Sequence, residues 1–339
     1  MKKNIMIFVS VIGLLAVLAG CSSKEANKNN GEAAAGDEPL RKVSVMLDWY
    51  PNAVHSGLYA AIEQGYFAEQ GLQIEVQMPA DTNDPLRLVA AGKVDLALSY
   101  QMQVLMARAE GIPVQSLAAL VRHPLNYLLV PTGSGIQSPK DLEGKTVGYP
   151  SIPTNEAIIQ AIVTADGGDF SKVTMTDVGW DLIPALATGQ VDALIGGYIN
   201  HERILLEKEG HETLAINPVD YGVPDFYELV LAASEEGVGN DLDVYKKFWQ
   251  AMIKGQQYVA EHPQEGLGIL LAHEKSESPL DEEIEEKSLE ILLPLMDAGE
   301  RPFGYQDPAS WQEAAQWLLD HGVIQQAVPS DEAFVNLVE

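Results

Sequence analysis

The segment Leu88-Val-Ala-Ala-Gly-Lys-Val-Asp-Leu-Ala-Leu-Ser99 returns later in the chain as Leu186-Ala-Thr-Gly-Gln-Val-Asp-Ala-Leu-Ile-Gly-Gly197. Both read as a helix end, a glycine, a turn and a strand opening on Val-Asp. Gly92 and Gly189 fall where a helix C-terminus takes a left-handed residue, a conformation glycine adopts without a Cβ penalty. Each copy closes a series of short apolar runs alternating with helical patterns. In the first series Val43–Leu47, Ile74–Met78, Val94–Ser99 and Gln115–Leu120 are strands, with helices over Ser56–Gln70, Asp84–Gly92 and Gln101–Gly111. In the second, strands Lys145–Tyr149, Val173–Val178 and Ala193–Gly197 alternate with helices Thr154–Asp166, Ile183–Gly189 and Asn200–Gly210. This alternation predicts α/β lobes, each with a parallel sheet covered by helices. The length beyond the leader exceeds the usual size of one core and also favours two lobes.

A further strand follows Tyr227, and the chain then turns helical to its end. Tyr245, Phe248, Trp249, Met252, Ile253 and Val259 recur at helical spacing, as do Trp311, Ala315, Leu318 and Leu319, and both stripes read as core. A tail that returns to the first lobe requires two crossings, near Leu128–Thr132 and near Glu228–Ala232, which would form a hinge. Lobe I is thus expected over 41–130 and 229–339, and lobe II over 131–228.

Residues 1–20 carry Lys2 and Lys3, then the apolar run Ile5–Leu18, and read as a secretory signal peptide. The run is short for a membrane span. Leu18-Ala-Gly-Cys21 resembles a bacterial lipobox, which makes Cys21, the single cysteine of the chain, the expected lipidated residue. Residues 21–40 offer little to bury and read as a flexible tether. From Cys21 onward, 19 Lys+Arg face 49 Asp+Glu, a net charge of −30. Nucleic acid and anionic lipid are poor partners for such a surface.

Functional side chains gather where strands end. Asp48, Trp49, Asn52 and His55 crowd the turn after Val43–Leu47, where Pro51-Asn52 stops the strand. Tyr100 and Tyr198 follow the two repeated strands, one per lobe. Gln101 opens a helix, Tyr149 and Asn155 flank the start of the second series' first helix, Glu202 lies one turn beyond Tyr198, and Glu228 falls at the returning hinge strand. Each also has a structural reading: capping for Asp48, His55, Gln101, Tyr149 and Asn155, turn shaping for Asn52, packing for Trp49, and a solvated helix face for Glu202. Neither Asp48–His55 nor Gly148–Asp166 contains Lys or Arg, so an anionic ligand finds no strong counter-charge there. A planar heterocycle with an exocyclic amine suits these carboxylates and aromatic faces better.

Four stretches carry a family resemblance: Leu47-Asp-Trp-Tyr-Pro-Asn-Ala-Val-His55, Ala60-Ala-Ile-Glu-Gln-Gly-Tyr-Phe-Ala-Glu-Gln-Gly-Leu72, Gly92-Lys-Val-Asp-Leu-Ala-Leu98 and Ser138-Pro-Lys-Asp-Leu-Glu-Gly-Lys-Thr-Val-Gly148. Over roughly residues 42–335 the chain resembles solute-binding proteins of bacterial ABC importers, in the branch similar to the pyrimidine synthase of the thiamine pathway. The resemblance implies a type II periplasmic-binding-protein fold, with a ligand cleft between two lobes joined by a two-strand hinge. It also implies a monomeric, lipid-anchored receptor outside the membrane, delivering formylaminopyrimidine or hydroxymethylpyrimidine to permease and ATPase subunits for thiamine salvage. Another small solute, such as riboflavin or an aromatic or sulfonated nutrient, and an exported synthase-like enzyme stand as alternatives. The synthase relatives carry a pyridoxal-bearing lysine, a histidine and a cysteine-rich segment. At the first two of these positions this chain has Ser99 and Gln103, and Asn217–Val230 contains no cysteine. Ser99 lacks the primary amine of a Schiff base, which argues against catalysis. His123, His201, His211 and His262 lack partners at zinc spacing, and neither a nucleophile elbow nor a phosphate loop occurs. No cofactor and no metal are expected.

Overall fold

The computed structural model describes residues 39–274 and 279–338. The expected signal peptide 1–20, the lipidation site Cys21 and the tether as far as residue 38 lie outside the described residues. Strands run β1 Arg41–Met46, β2 Leu72–Gln77, β3 Leu96–Ser99, β4 Val114–Val121, β5 Leu128–Pro131, β6 Thr146–Tyr149, β7 Thr174–Asp177, β8 Ala193–Leu194, β9 Thr213–Ile216 and β10 Leu229–Ser234. They form two five-stranded sheets, ordered β2-β1-β3-β10-β4 and β7-β6-β8-β5-β9.

The two orders are the same pattern written twice. In each sheet the first three strands pair in parallel, and the fourth is antiparallel and arrives from the other half of the chain. Strand β5 already belongs to the second sheet, so the chain passes between sheets over residues 122–127. The return runs through the segment before β10. The repeated Val-Asp has a physical reason in both halves. Asp95 accepts from the backbone N–H of Ser44 at 2.7 Å, and Asp192 from that of Thr146 at 2.8 Å. Each aspartate therefore pins the start of its strand to the neighbouring parallel strand.

Strand β1 shows why these runs become strands: Val43 and Val45 are buried while Lys42 faces water, the alternation of a sheet covered on one side of its edge. The helix expected over Ser56–Gln70 is two helices, Ser56–Glu63 and Tyr66–Glu69, broken where Gly65 turns left-handed. Gly92 and Gly189 have φ of 63° and 73°, as their helix-end positions require. The long helix Glu235–Glu261 lies against Ser56–Glu63 so closely that a Cβ on Gly255 would stand 2.2 Å from the carbonyl oxygen of Gly57. It buries Phe248, whose ring meets that of Phe67 at a tilt, and Trp249, which stacks on Phe303. Each such ring contributes about 1.5–3 kcal/mol by burial. This packing returns the helical tail to the first sheet.

Strand β8 ends at Leu194 rather than Gly197. Gly196 has φ 92°, and a Cβ there would lie 2.3 Å from Cδ of Pro150. The chain turns out of the sheet at that point and delivers Tyr198, Asn200 and His201 to the space between the sheets.

Candidate functional site

The parallel strands end facing a common gap. Asp48 and Trp49 lie just beyond β1, Tyr100 just beyond β3, Pro150 and Ile152 beyond β6, Tyr198 beyond β8, and Glu228 before β10. Together with Asn52, Val54, Leu125, Gly196, Asn200, His201, Glu202 and Leu229 they line one cavity, whose empty space is about 540 Å³ including its open part. Open α/β sheets place ligands at this end of their strands.

A chain of hydrogen bonds fixes the first wall. The backbone N–H of Asn52 donates to Nδ1 of His55 at 3.2 Å, so the ring proton sits on Nε2, which donates to Asp48 Oδ1 at 3.0 Å. The Tyr100 hydroxyl donates to Asp48 Oδ2 at 3.1 Å. Opposite, the Tyr198 hydroxyl donates to Glu228 Oε1 at 2.9 Å, and Glu228 Oε2 accepts the backbone N–H groups of Leu125 and Asn126 at 2.7 and 3.1 Å. Burial pushes the Glu228 carboxyl up to about 7 despite these three donors. Burial, with Asp48 alongside, also holds the Tyr100 hydroxyl well above its ordinary value, and burial with Glu228 does the same to Tyr198.

The second wall contains a buried cation. His201 Nδ1 lies 3.0 Å from Glu202 Oε1, and Nε2 lies 3.6 Å from Glu285 Oε1. Burial alone would lower the imidazole, but the two carboxylates raise it to about 10. Glu202 is likewise raised by burial yet ends below its usual range because of His201. Its second oxygen accepts the Tyr198 N–H at 2.9 Å. Glu285 is fixed from the other side by the backbone N–H of Ala53 at 2.6 Å.

An aromatic group stands at the mouth. Trp49 and Trp180 have ring centroids 3.8 Å apart, with Tyr50 at 5.5 Å from Trp49 and 5.6 Å from the His201 ring. Trp180 is 41% exposed, whereas Trp49 is half-buried and its Nε1 has no hydrogen-bond partner among the described residues.

Of the side chains expected at the ligand, Asp48, Trp49, Asn52, Tyr100, Tyr198, Glu202 and Glu228 come together on the cavity wall. Asn52 also caps the turn Ala53–His55 by accepting the N–H of Val54. Asn155 lines an adjoining space shared with Tyr100, Tyr198 and Glu228, and its Oδ1 accepts from Asn126 at 2.7 Å. Three expectations are corrected. His55 lies behind Asp48 and orients it, because its second nitrogen is taken by the Asn52 N–H. Gln101 is fully buried away from the cavity; its Oε1 accepts the Tyr227 N–H at 2.7 Å and ties the helix start to the return crossing. Tyr149 turns outward to donate to Glu156 at 2.7 Å.

Sequence reasoning missed Asn200, His201 and Trp180. Trp180 carried the same signal as Trp49, a tryptophan just past a strand end. His201 was weighed only as a zinc ligand, although Glu202, the stronger of the two carboxylates that charge it, adjoins it in sequence; the second, Glu285, is remote. The expectation of a gap without Lys or Arg holds for the cavity lining, but His201 supplies a buried positive charge there. The Ser99 hydroxyl donates to Gln103 Oε1 at 3.2 Å.

Comparison with known proteins places this geometry in context. The chain is 44% identical to a formylaminopyrimidine-binding protein of Halalkalibacterium halodurans, over 97% of this chain and 98% of that one. It is 32% identical to a putative thiamine biosynthesis protein of Haemophilus influenzae, over 99% and 100% of the two chains. A 4-amino-5-hydroxymethyl-2-methylpyrimidine phosphate synthase of Legionella pneumophila is 27% identical over 73% of this chain and 79% of its own. Among solved structures, the alkanesulfonate-binding protein SsuA from Xanthomonas axonopodis pv. citri bound to MOPS superposes with a TM-score of 0.68 at 14% identity, covering 88% of this chain and 99% of that one. The ligand-binding component of an ABC-type import system from Staphylococcus aureus gives 0.66 at 14%, covering 87% and 97%. These likenesses show the periplasmic-binding-protein fold, two α/β lobes with the cleft between them. A family model described as NMT1/THI5 like matches residues 52–266, and the chain belongs to the NMT1/THI5-like family.

Proposed function

We propose that this protein is the extracytoplasmic solute-binding component of an ABC importer, and that it takes a thiamine-precursor aminopyrimidine, formylaminopyrimidine or hydroxymethylpyrimidine, for uptake and salvage. The observation that carries the reading is the cavity wall itself. Asp48, Glu202 and Glu228 line it, two tyrosines and a tryptophan accompany them, and neither Lys nor Arg does. A ring bearing an amine and a protonatable nitrogen gains from such a wall, through hydrogen bonds to the carboxylates and contact with aromatic faces. A sulfonate would instead meet carboxylates, with the buried cation His201 already held between Glu202 and Glu285. The name of the Halalkalibacterium relative supports the same ligand class.

The local pairing of Ser99 with Gln103 supports a reading of binding without chemistry. A hydroxyl engaged by an amide has no base to activate it, and no amine stands there to carry an aldehyde cofactor. Lobe closure over the ring then presents both lobes to a permease, with an ATPase subunit powering release across the membrane. Cys21 is the proposed lipid attachment point, and a single copy of the chain is the proposed working unit.

Isothermal titration of the chain from Ser22 onward with formylaminopyrimidine, hydroxymethylpyrimidine, thiamine and riboflavin tests the reading. Heat with one of the two pyrimidines, and little with riboflavin, is the expected result. Silence with both pyrimidines would remove the ligand assignment, and an aldimine absorbance band on adding pyridoxal phosphate would reinstate the enzyme alternative.

A further inference from the structure

The acceptors of the cavity wall are unequally occupied. Both oxygens of Asp48 already accept, from His55 and Tyr100. Both oxygens of Glu228 accept, from Tyr198, Leu125 and Asn126. Glu202 is held by His201 and the Tyr198 N–H. Asn200 differs. It lines the same cavity, is 2% exposed, and its Oδ1 has no hydrogen-bond partner among the described residues. A buried amide carbonyl left unpaired is costly, and such groups persist in native proteins where another molecule completes them.

The other end of the same side chain explains its orientation. Asn200 Nδ2 donates to Ser288 Oγ at 2.9 Å, and Ser288 is fully buried on the helix Glu282–Met296. That helix belongs to the tail packed with the first sheet, whereas Asn200 leads into the helix Glu202–Lys208 beside the second. Contacts flanking this one join the same two elements: His201 with Glu285, and Lys208 with Asp281 at 2.7 Å. The Asn200–Ser288 bond therefore exists when the two lobes are together. It turns the amide nitrogen away and leaves the carbonyl oxygen for the cavity.

We propose that Asn200 is a specificity-determining residue: its Oδ1, aimed by Ser288 across the closed cleft, accepts an N–H of the ligand's exocyclic amine. This rests on the aminopyrimidine reading above. Ser288 acts as a positioning residue, since it meets Asn200 and not the cavity. The arrangement makes amine recognition conditional on closure. A ring lacking the amine leaves Oδ1 buried and unpaired, which opposes the closed state.

The test compares hydroxymethylpyrimidine with the same ring carrying hydrogen in place of the amine, titrated into the wild-type chain, Asn200→Ala, Asn200→Asp and Ser288→Ala. The wild type should prefer the amine by about tenfold or more, one buried hydrogen bond's worth of discrimination. Asn200→Ala should bring the ratio close to one. Asn200→Asp keeps an acceptor and should retain the preference, and Ser288→Ala should reduce it while binding of the amine-free ring stays unchanged. Equal weakening of both rings by Asn200→Ala, or loss of the preference in Asn200→Asp, would overturn the assignment of Asn200 alone. A wild-type chain that binds neither ring would overturn the ligand reading and this proposal with it.

Discussion

Burial lifts the Glu228 carboxyl above its ordinary range, and the sign of that shift is open to measurement. Its folded value of about 7 lies above the ordinary 4.5, so the folded state holds the proton more tightly than the unfolded chain. The corresponding stability is full below about 4.5 and is lost as pH rises through 7, a swing on the order of 3 kcal/mol. Thermal melts of the ligand-free chain should show this fall between pH 5 and 8, and Glu228→Gln should flatten it; an unchanged slope in the variant would remove Glu228 as the cause. Asp48 gives a second residue-scale expectation. Asp48→Asn sets an N–H₂ against either the His55 or the Tyr100 donor, at a cost of about 1–3 kcal/mol in denaturant unfolding, together with weaker binding of an aminopyrimidine. Asp48, Tyr100, Tyr198 and Glu228 were legible because strand-end positions in an α/β chain converge whatever the loops do. His55, Gln101 and Tyr149 were not. Whether a polar side chain at a helix start faces a cavity or a backbone N–H depends on the turn's three-dimensional path, and sequence spacing does not record that path.

At the scale of elements, the contact between helices Glu202–Lys208 and Glu282–Met296 separates strong from weak ion pairs. Lys208 meets Asp281 and Glu283 in exposed surroundings where solvent screens the pair, so Lys208→Ala should leave the thermal midpoint almost unmoved. His201 is buried between Glu202 and Glu285. Its removal in His201→Leu strands two carboxylates and should cost about 3–5 kcal/mol. The imidazole's folded value of about 10 exceeds the ordinary 6.5, so this contribution is complete below 6.5 and disappears as pH rises through 10. Melts between pH 6.5 and 10 should decline in the wild type and lose that slope in the variant. The repeated Val-Asp phrase made the twin sheets readable, since one aspartate performs the same strand-pinning task in each. Strand β9 and the early end of β8 were not readable. The first is a short edge strand with little alternation, and the second is cut by a glycine whose turn is dictated by Pro150 packing on it.

For the whole molecule, Trp49 and Trp180 give a reporter of closure. They reach one another from the two lobes, and opening the cleft separates them. Tryptophan emission should change on adding an aminopyrimidine, and Trp180→Phe should remove most of that change while retaining measurable binding; an undiminished response in Trp180→Phe would place the reporter elsewhere. The two-lobe plan was visible from the alternation of runs, and the helical tail's return was visible from its apolar stripes. The tail's contribution to the site was hidden, because Glu285 and Ser288 sit on a helix whose sequence reads as an ordinary acidic surface.

Gly196 has a consequence for how such a receptor can diversify. The cavity floor at this point is bare main chain pressed on a proline ring, and even a methyl group has nowhere to go. In a library selected for new solutes, this position should return wild type almost invariably, while substitutions accumulate at Tyr50, Trp180 and Asn200. Altered selectivity would then come from redecorating the rim and sides over an unchanging base.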